Sequence, residues 1–118
     1  MKKILVLDDD ADILVLMQMT LTIHHFIVKA ISRWEDINES ISKFNPDMIL
    51  LDVSLNGADG RDICAKIKQT EKTSHIPVIL FSANVELENN FQDFHAQAFI
   101  SKPYKLSHLL QTIKLNLK

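Results

Sequence analysis

The sequence predicts an α/β fold, a doubly wound (βα)5 three-layer sandwich built on a five-stranded parallel sheet. Two observations carry this. Five short apolar runs recur along the chain, each continuous rather than alternating, as expected of strands buried on both faces of a parallel sheet. Amphipathic stretches separate them, and strict β–α alternation implies right-handed crossovers that place helices on both faces.

The elements follow in order. Ile4–Leu7 is the first strand. A helix from about Asp12 to Thr22 turns Ile13, Leu16, Met17, Thr20 and Leu21 toward the sheet, leaving Leu14, Val15 and Met19 sideways or outward. Phe26–Ala30 is the second strand. Ser32, with Glu35 at capping-box spacing, opens a helix over Trp34–Phe44. Asn45-Pro46 breaks the chain before Met48–Leu51, the third strand, and a helix spans Gly60–Lys68. Ile76-Pro77 introduces the fourth strand, Val78–Phe81. A poorly patterned helix over Val85–Phe94, crowded with Glu86, Glu88, Asn89, Asn90, Gln92 and Asp93, precedes Ala98–Ile100, the fifth strand. Leu106, Leu109, Leu110, Ile113 and Leu117 mark the apolar face of the last helix.

At 118 residues, 47% hydrophobic and 24% charged, the chain reads as one globular domain over residues 1–118. A net charge of −2 argues against nucleic-acid binding by this domain. The single cysteine, Cys64, excludes an internal disulfide scaffold. No signal peptide and no membrane-length apolar run is present, so a cytoplasmic setting is expected. There are only two glycines, Gly57 and Gly60. A P-loop or dinucleotide fingerprint needs more, because glycines let backbone N–H groups close on phosphates. Any phosphate chemistry here must rest on side chains and a cation.

Ligands of such sheets sit beyond the carboxyl ends of the strands. Asp8, Asp9 and Asp10 follow the first strand, Asp52 the third, Ser82 the fourth and Lys102-Pro103 the fifth. Two like charges ~4 Å apart repel by about 4 kcal/mol at an effective dielectric of ~20. A hard cation relieves that, and Mg²⁺ prefers one or two carboxylates with water and phosphate oxygens completing its shell. Asp52, rigid at the end of a wholly apolar strand, suits a nucleophile toward phosphorus. Phosphoryl transfer otherwise needs positioning and charge neutralisation, which a cation, Lys102 and Ser82 would supply.

These residues, in this order, resemble the receiver domains of two-component response regulators, which have a flavodoxin-like fold. The likeness covers essentially the whole chain. It rests on Ile4–Asp10, Pro46–Asp52, Asp59-Gly60, Ile76–Ala83 and Lys102-Pro103-Tyr104. It implies strand order 2-1-3-4-5 and a signalling switch rather than an enzyme, with weak self-catalysed phosphotransfer and autodephosphorylation. It implies Asp52 as phosphoacceptor, and Mg²⁺ (or Mn²⁺) held by Asp9, Asp52, the Ser54 backbone carbonyl and, through water, Asp8. Ser82 matches the switch hydroxyl, Lys102 the lysine that pairs with phosphoryl oxygens, and Phe99 the aromatic switch. Lys102-Pro103 matches a peptide usually held cis. The donor it implies is a phosphohistidine on a sensor histidine kinase or a histidine phosphotransfer protein; the output partner is unspecified. Two departures stand out. Asn56 replaces a frequent proline, implying a looser loop, and His95 replaces a common glycine, implying strain if φ there is positive.

Blander readings compete with some of these. The aspartate trio could simply cap the first helix, and Phe99 could be plain core. Cys64 reads as packing, and His24, His25, His75, His95 and His108 lack ligand spacing. Ser54 and Asn84, two residues beyond Asp52 and Ser82, are placed to tune phosphate lifetime; neither is a strong base, so slow hydrolysis is expected. The outward apolar residues of the first helix suggest a surface for the histidine-bearing partner or for a second receiver in a homodimer. The alternatives of another class are a haloacid-dehalogenase-like phosphatase, disfavoured because Ser54 stands where its second aspartate belongs, and an unphosphorylated pseudo-receiver, disfavoured by an intact site.

Overall fold

The computed structural model describes residues 1–84, 86 and 90–117. Its main sheet is five-stranded and parallel, built from β1 (Lys3–Leu7), β2 (Ile27–Ile31), β3 (Met48–Asp52), β6 (Val78–Ser82) and β7 (Ala98–Ser101). The order is β2-β1-β3-β6-β7, the predicted 2-1-3-4-5 among the long strands. A small antiparallel hairpin, β4 (Ser54–Leu55) and β5 (Ala58–Asp59), was not expected and accounts for the two additional strands.

Alternation along the buried strands feeds two cores. Ile4, Val6, Met48, Leu50, Ile79, Phe81 and Ile100 face α1 (Ala11–Ile23) and α4 (Leu106–Asn116). Leu5, Leu7, Ile49, Leu51, Val78, Leu80 and Phe99 face α2 (Ile37–Phe44) and α3 (Gly60–Gln69). Residues 48–52 are buried throughout, so the period-2 pattern expected of a one-sided strand is absent for a physical reason: both faces are covered.

Three local expectations need correction. On α1 the inward residues are Leu14, Met17 and Leu21, whereas Leu16 is 60% exposed; Leu14, Met17 and Leu21 follow i, i+3, i+7 and pack in the core, and Leu16, two residues from Leu14, falls on the opposite side of the helix. Ser32 caps nothing. A 3₁₀ turn over Trp34–Asp36 intervenes before α2, and neither Arg33 nor Asp36 makes a side-chain capping bond. Of the weak helix expected over 85–94, positions 85 and 87–89 lie outside the described residues, and Phe91–Phe94 forms a 3₁₀ turn instead. His95 then takes φ 64° in the left-handed region, the case in which strain is expected there.

Candidate functional site

The carboxyl ends of β1, β3, β6 and β7 deliver the chemistry to one edge. Asp8 directly follows β1, its N–H bonded to the Ile31 carbonyl at 3.2 Å. Its Oδ1 accepts the Asp10 N–H at 2.9 Å, while Asp10 Oδ1 accepts the Asp12 N–H at 3.0 Å and caps α1. Asp10 therefore does serve as a cap, which leaves Asp8 and Asp9 for other work. Asp52 is the last residue of β3, in register with Phe81. Oxygens of Asp8, Asp9 and Asp52 lie within 4.8 Å of one another, Asp8 and Asp52 buried and Asp9 exposed.

One ammonium answers them. Lys102 Nζ lies 3.2 Å from Asp8 Oδ2 and 3.5 Å from Asp52 Oδ1. Its stem is guided by the Phe81 ring, 4.9 Å from Nζ, and its backbone N–H donates to the Ser82 carbonyl at 2.8 Å. The Lys102–Pro103 peptide is cis. Three carboxylates against one lysine leave the edge under-neutralised. Burial, then the neighbouring Asp8 charge, push the Asp52 carboxyl up to about 6, against the pull of Lys102 and of the Ser54 N–H that bonds it. The donor set, all oxygen, crowded and net negative, fits a hard divalent cation.

Beside this edge a cleft of about 450 Å³ is lined by Val53, Ser54, Leu55, Ala58, Asp59, Arg61, Ser82 and Asn84. Ser82 Oγ accepts the Asn84 N–H at 3.0 Å, and Asn84 Oδ1 in turn accepts the Glu86 N–H at 3.1 Å. Ser54, Ser82 and Asn84 thus line one opening, which begins at Val53, the residue after Asp52. Phe99 does not reach it: the ring lies in the α2–α3 core, stacked on Phe91 at 6.4 Å between centroids.

Sequence reasoning missed the side chains that shape this cleft. Arg61 pairs with Asp59 at 2.6 Å and lies over the Phe94 ring at 5.3 Å; that pairing holds the Asp59 carboxyl below its ordinary range. Gly60 is needed for close approach, since a Cβ there would sit 2.0 Å from the Asp52 carbonyl oxygen. Only the Asp59-Gly60 dipeptide hinted at it. Trp34 donates its indole N–H to the Asn56 carbonyl at 3.1 Å, which no spacing in the sequence reveals. Cys64 is buried, its thiol 3.3 Å from the Phe94 carbonyl and pushed by burial up to about 11, as packing requires. No helix among the described residues is long and apolar enough to cross a membrane.

Comparison with known proteins bears directly on this edge. The family model described as "Response regulator receiver domain" matches residues 4–114. The transcriptional regulatory protein ResD of Bacillus subtilis is 35% identical over 121 residues, covering 98% of this chain and 48% of ResD. The DNA-binding dual master transcriptional regulator RpaA of Synechocystis sp. is 27% identical over 120 residues, covering 100% of this chain and 50% of RpaA. Thus the chain spans about half the length of the curated relatives it matches. Among solved structures, the BeF3-activated N-terminal receiver domain of Klebsiella pneumoniae RstA superposes with a TM-score of 0.88 at 25% identity, covering 98% of each chain. With a match that runs from the first strand into the last helix, this chain belongs to the response regulator receiver domain family of two-component systems.

Proposed function

We propose that residues 1–118 act as a phosphoacceptor unit in which Asp52 receives a phosphoryl group from a phosphohistidine on a sensor histidine kinase or histidine phosphotransfer protein. The observation that carries this reading is the acidic triplet with its single lysine: Asp8, Asp9 and Asp52 within 4.8 Å, and Lys102 between Asp8 and Asp52. Asp52 is buried at the end of a rigid strand, so its carboxylate is aimed rather than floating. Its oxygen forms the new bond to phosphorus as the bond from phosphorus to the donor nitrogen breaks, and the freed imidazole takes a proton from solvent. Lys102 is placed to neutralise a phosphoryl oxygen, and the Ser82 hydroxyl, lining the adjoining cleft, to donate to another. Receiver domains bind Mg²⁺ at such an acidic pocket; Asp9, Asp52 and the Ser54 carbonyl would hold it here, with Asp8 assisting, and the ion would offset charge on carboxylates and phosphate.

Ser54 and Asn84 flank that cleft without a strong base, which supports slow autodephosphorylation. Exposed Val15, Leu16, Met19 and Ile23 on α1 supply an apolar face for the histidine-bearing partner. If so, Val15→Glu with Met19→Glu slows transfer from the kinase yet leaves phosphorylation by a small donor unchanged.

The deciding experiment is incubation with Mg²⁺ and acetyl phosphate, read by intact mass. The wild type is expected to gain one phosphoryl group and Asp52→Asn none or very little; equal gain in both removes Asp52 from the role. A phosphatase of the haloacid-dehalogenase kind would instead turn over phosphate esters, and Ser54 offers no acid where that chemistry needs one.

A further inference from the structure

The hairpin that follows Asp52 is held at both ends. At its base the Val53 N–H donates to the Phe81 carbonyl at 3.0 Å, and the Val53 carbonyl accepts the Gly60 N–H at 2.8 Å. Ser54 pairs with Asp59 and Leu55 with Ala58, which leaves Asn56 and Gly57 as the turn. Gly57 takes φ 86°, in the left-handed region. A two-stranded hairpin of this length is marginal by itself. Its tip is fastened from another element, where Trp34 Nε1 donates to the Asn56 carbonyl at 3.1 Å. The same nitrogen sits 3.5 Å from where a Cβ on Gly57 would lie, an ordinary contact distance, so the indole lies beside the turn.

The indole has a firm footing of its own. Trp34 packs, partly buried, against the core between the sheet and α2–α3, and so does Leu55 of the hairpin. What the hairpin carries is Ser54, two residues beyond Asp52, paired with Asp59 and lining the cleft beside the acidic edge. The tip of the hairpin, its Ser54 and the acidic edge are therefore one mechanical unit, and the indole is its far anchor.

We propose that Trp34 is a positioning residue for the acidic edge: its indole N–H, bonded to the Asn56 carbonyl, fixes the hairpin that runs on from Asp52 and carries Ser54, and so sets the affinity of the site for Mg²⁺. This rests on reading Asp8, Asp9 and Asp52 as a divalent-cation site. Trp34 touches neither the ion nor a phosphoryl group; its effect passes through the turn. Loss of an outer-shell partner bonded straight to a ligand typically weakens metal binding by ~10–100-fold. An anchor acting through a turn should weaken it by about 3–10-fold.

Calorimetric Mg²⁺ titration tests this on the wild type, Trp34→Phe, Asp9→Asn, and a chain in which β-(3-benzothienyl)alanine replaces Trp34. That analogue keeps the bicyclic shape and removes only the donor. Both position-34 changes are expected to weaken Mg²⁺ binding about 3–10-fold, with the metal-free unfolding midpoint of the analogue unchanged. Trp34 is the sole tryptophan, so wild-type fluorescence should shift with the same Mg²⁺ midpoint. Wild-type affinity in the analogue overturns the proposal while leaving the cation site standing. A wild type that binds no Mg²⁺, or binds no better than Asp9→Asn, overturns both.

Discussion

The charged form of Asp52 carries a cost in the fold. In the unfolded chain its carboxyl titrates near 3.8, and in the fold at about 6, because burial and Asp8 disfavour the charge more than Lys102 favours it. Below both values it is neutral in either state and nothing is lost. As pH rises through that window the unfolded chain gives up its proton first, so the fold loses stability, fully so above about 6. Two units correspond to about 3 kcal/mol, and relaxation of the surroundings around a buried charge reduces this to about 1–2 kcal/mol. Metal-free Asp52→Asn is accordingly expected to be more stable than the wild type at pH 7 by about 1–2 kcal/mol in urea unfolding, with the difference shrinking toward zero near pH 4. Equal stability at both pH values would contradict this account of the carboxylate. Gly60 is constrained by space instead. Gly60→Ala places a methyl carbon 2.0 Å from the Asp52 carbonyl oxygen, so the β3–α3 connection must shift, and a loss above about 3 kcal/mol is expected. Asp52 and Lys102 were legible because polar residues ending apolar runs have few other reasons to be there. Arg61 and Trp34 were not, since their partners, Asp59 and Phe94 for one and a backbone carbonyl for the other, are set by how loops fold back.

At the scale of elements, the strands were readable and the helix faces less so. A strand buried on both sides announces itself by being apolar throughout, whatever its register. A helix such as α1, with apolar residues at Ile13–Met17, Met19, Leu21 and Ile23, has no single stripe to read, so its inward face is set by packing against the sheet. Asp10 fixes only where the helix starts, through its side-chain bonds to the first turn. The β4–β5 hairpin escaped notice because two-residue strands carry no periodicity. Phe91–Phe94 fails to extend as an α-helix and ends at His95, whose left-handed φ of 64° stops the turn. A left-handed conformation costs an L-residue ~1–2 kcal/mol, whereas glycine avoids that cost but loses ~0.5–1 kcal/mol in chain entropy. His95→Gly should therefore be neutral or stabilising by up to about 1 kcal/mol, and His95→Val, β-branched, should destabilise by about 1 kcal/mol or more. Thermal unfolding of the two variants side by side decides it; a destabilised glycine variant would mean that the imidazole contributes something beyond its backbone.

For the molecule as a whole, the sheet order follows from covering both faces, and the acidic edge follows from the sheet order: β1 and β3 are neighbours, so Asp8 and Asp52 must be too. If the edge holds a divalent cation as proposed, that juxtaposition couples its binding to the stability of the entire fold. A ligand bound only by the folded state adds RT ln(1 + [L]/Kd), about 2.7 kcal/mol at a hundredfold excess over Kd. For a domain of this size each kcal/mol raises the melting temperature by roughly 4 °C. Saturating Mg²⁺ should thus raise it by about 10 °C. The two aspartates of the pair after β1 should behave differently. Asp9 is exposed and its carboxylate holds no ion pair in the described structure, so Asp9→Asn should leave the metal-free melting temperature within about 2 °C while removing most of the Mg²⁺ increment. Asp8 is buried, accepts from Lys102 and bonds the Asp10 N–H. Asp8→Ala should lower the metal-free value itself, because the loss of the Asp10 N–H acceptor, of the Lys102 bond and of buried volume outweighs the relief of repulsion on Asp52. Were Asp9→Asn to melt early without Mg²⁺ and still gain the full increment with it, the exposed carboxylate would be structural and the cation would have to sit elsewhere.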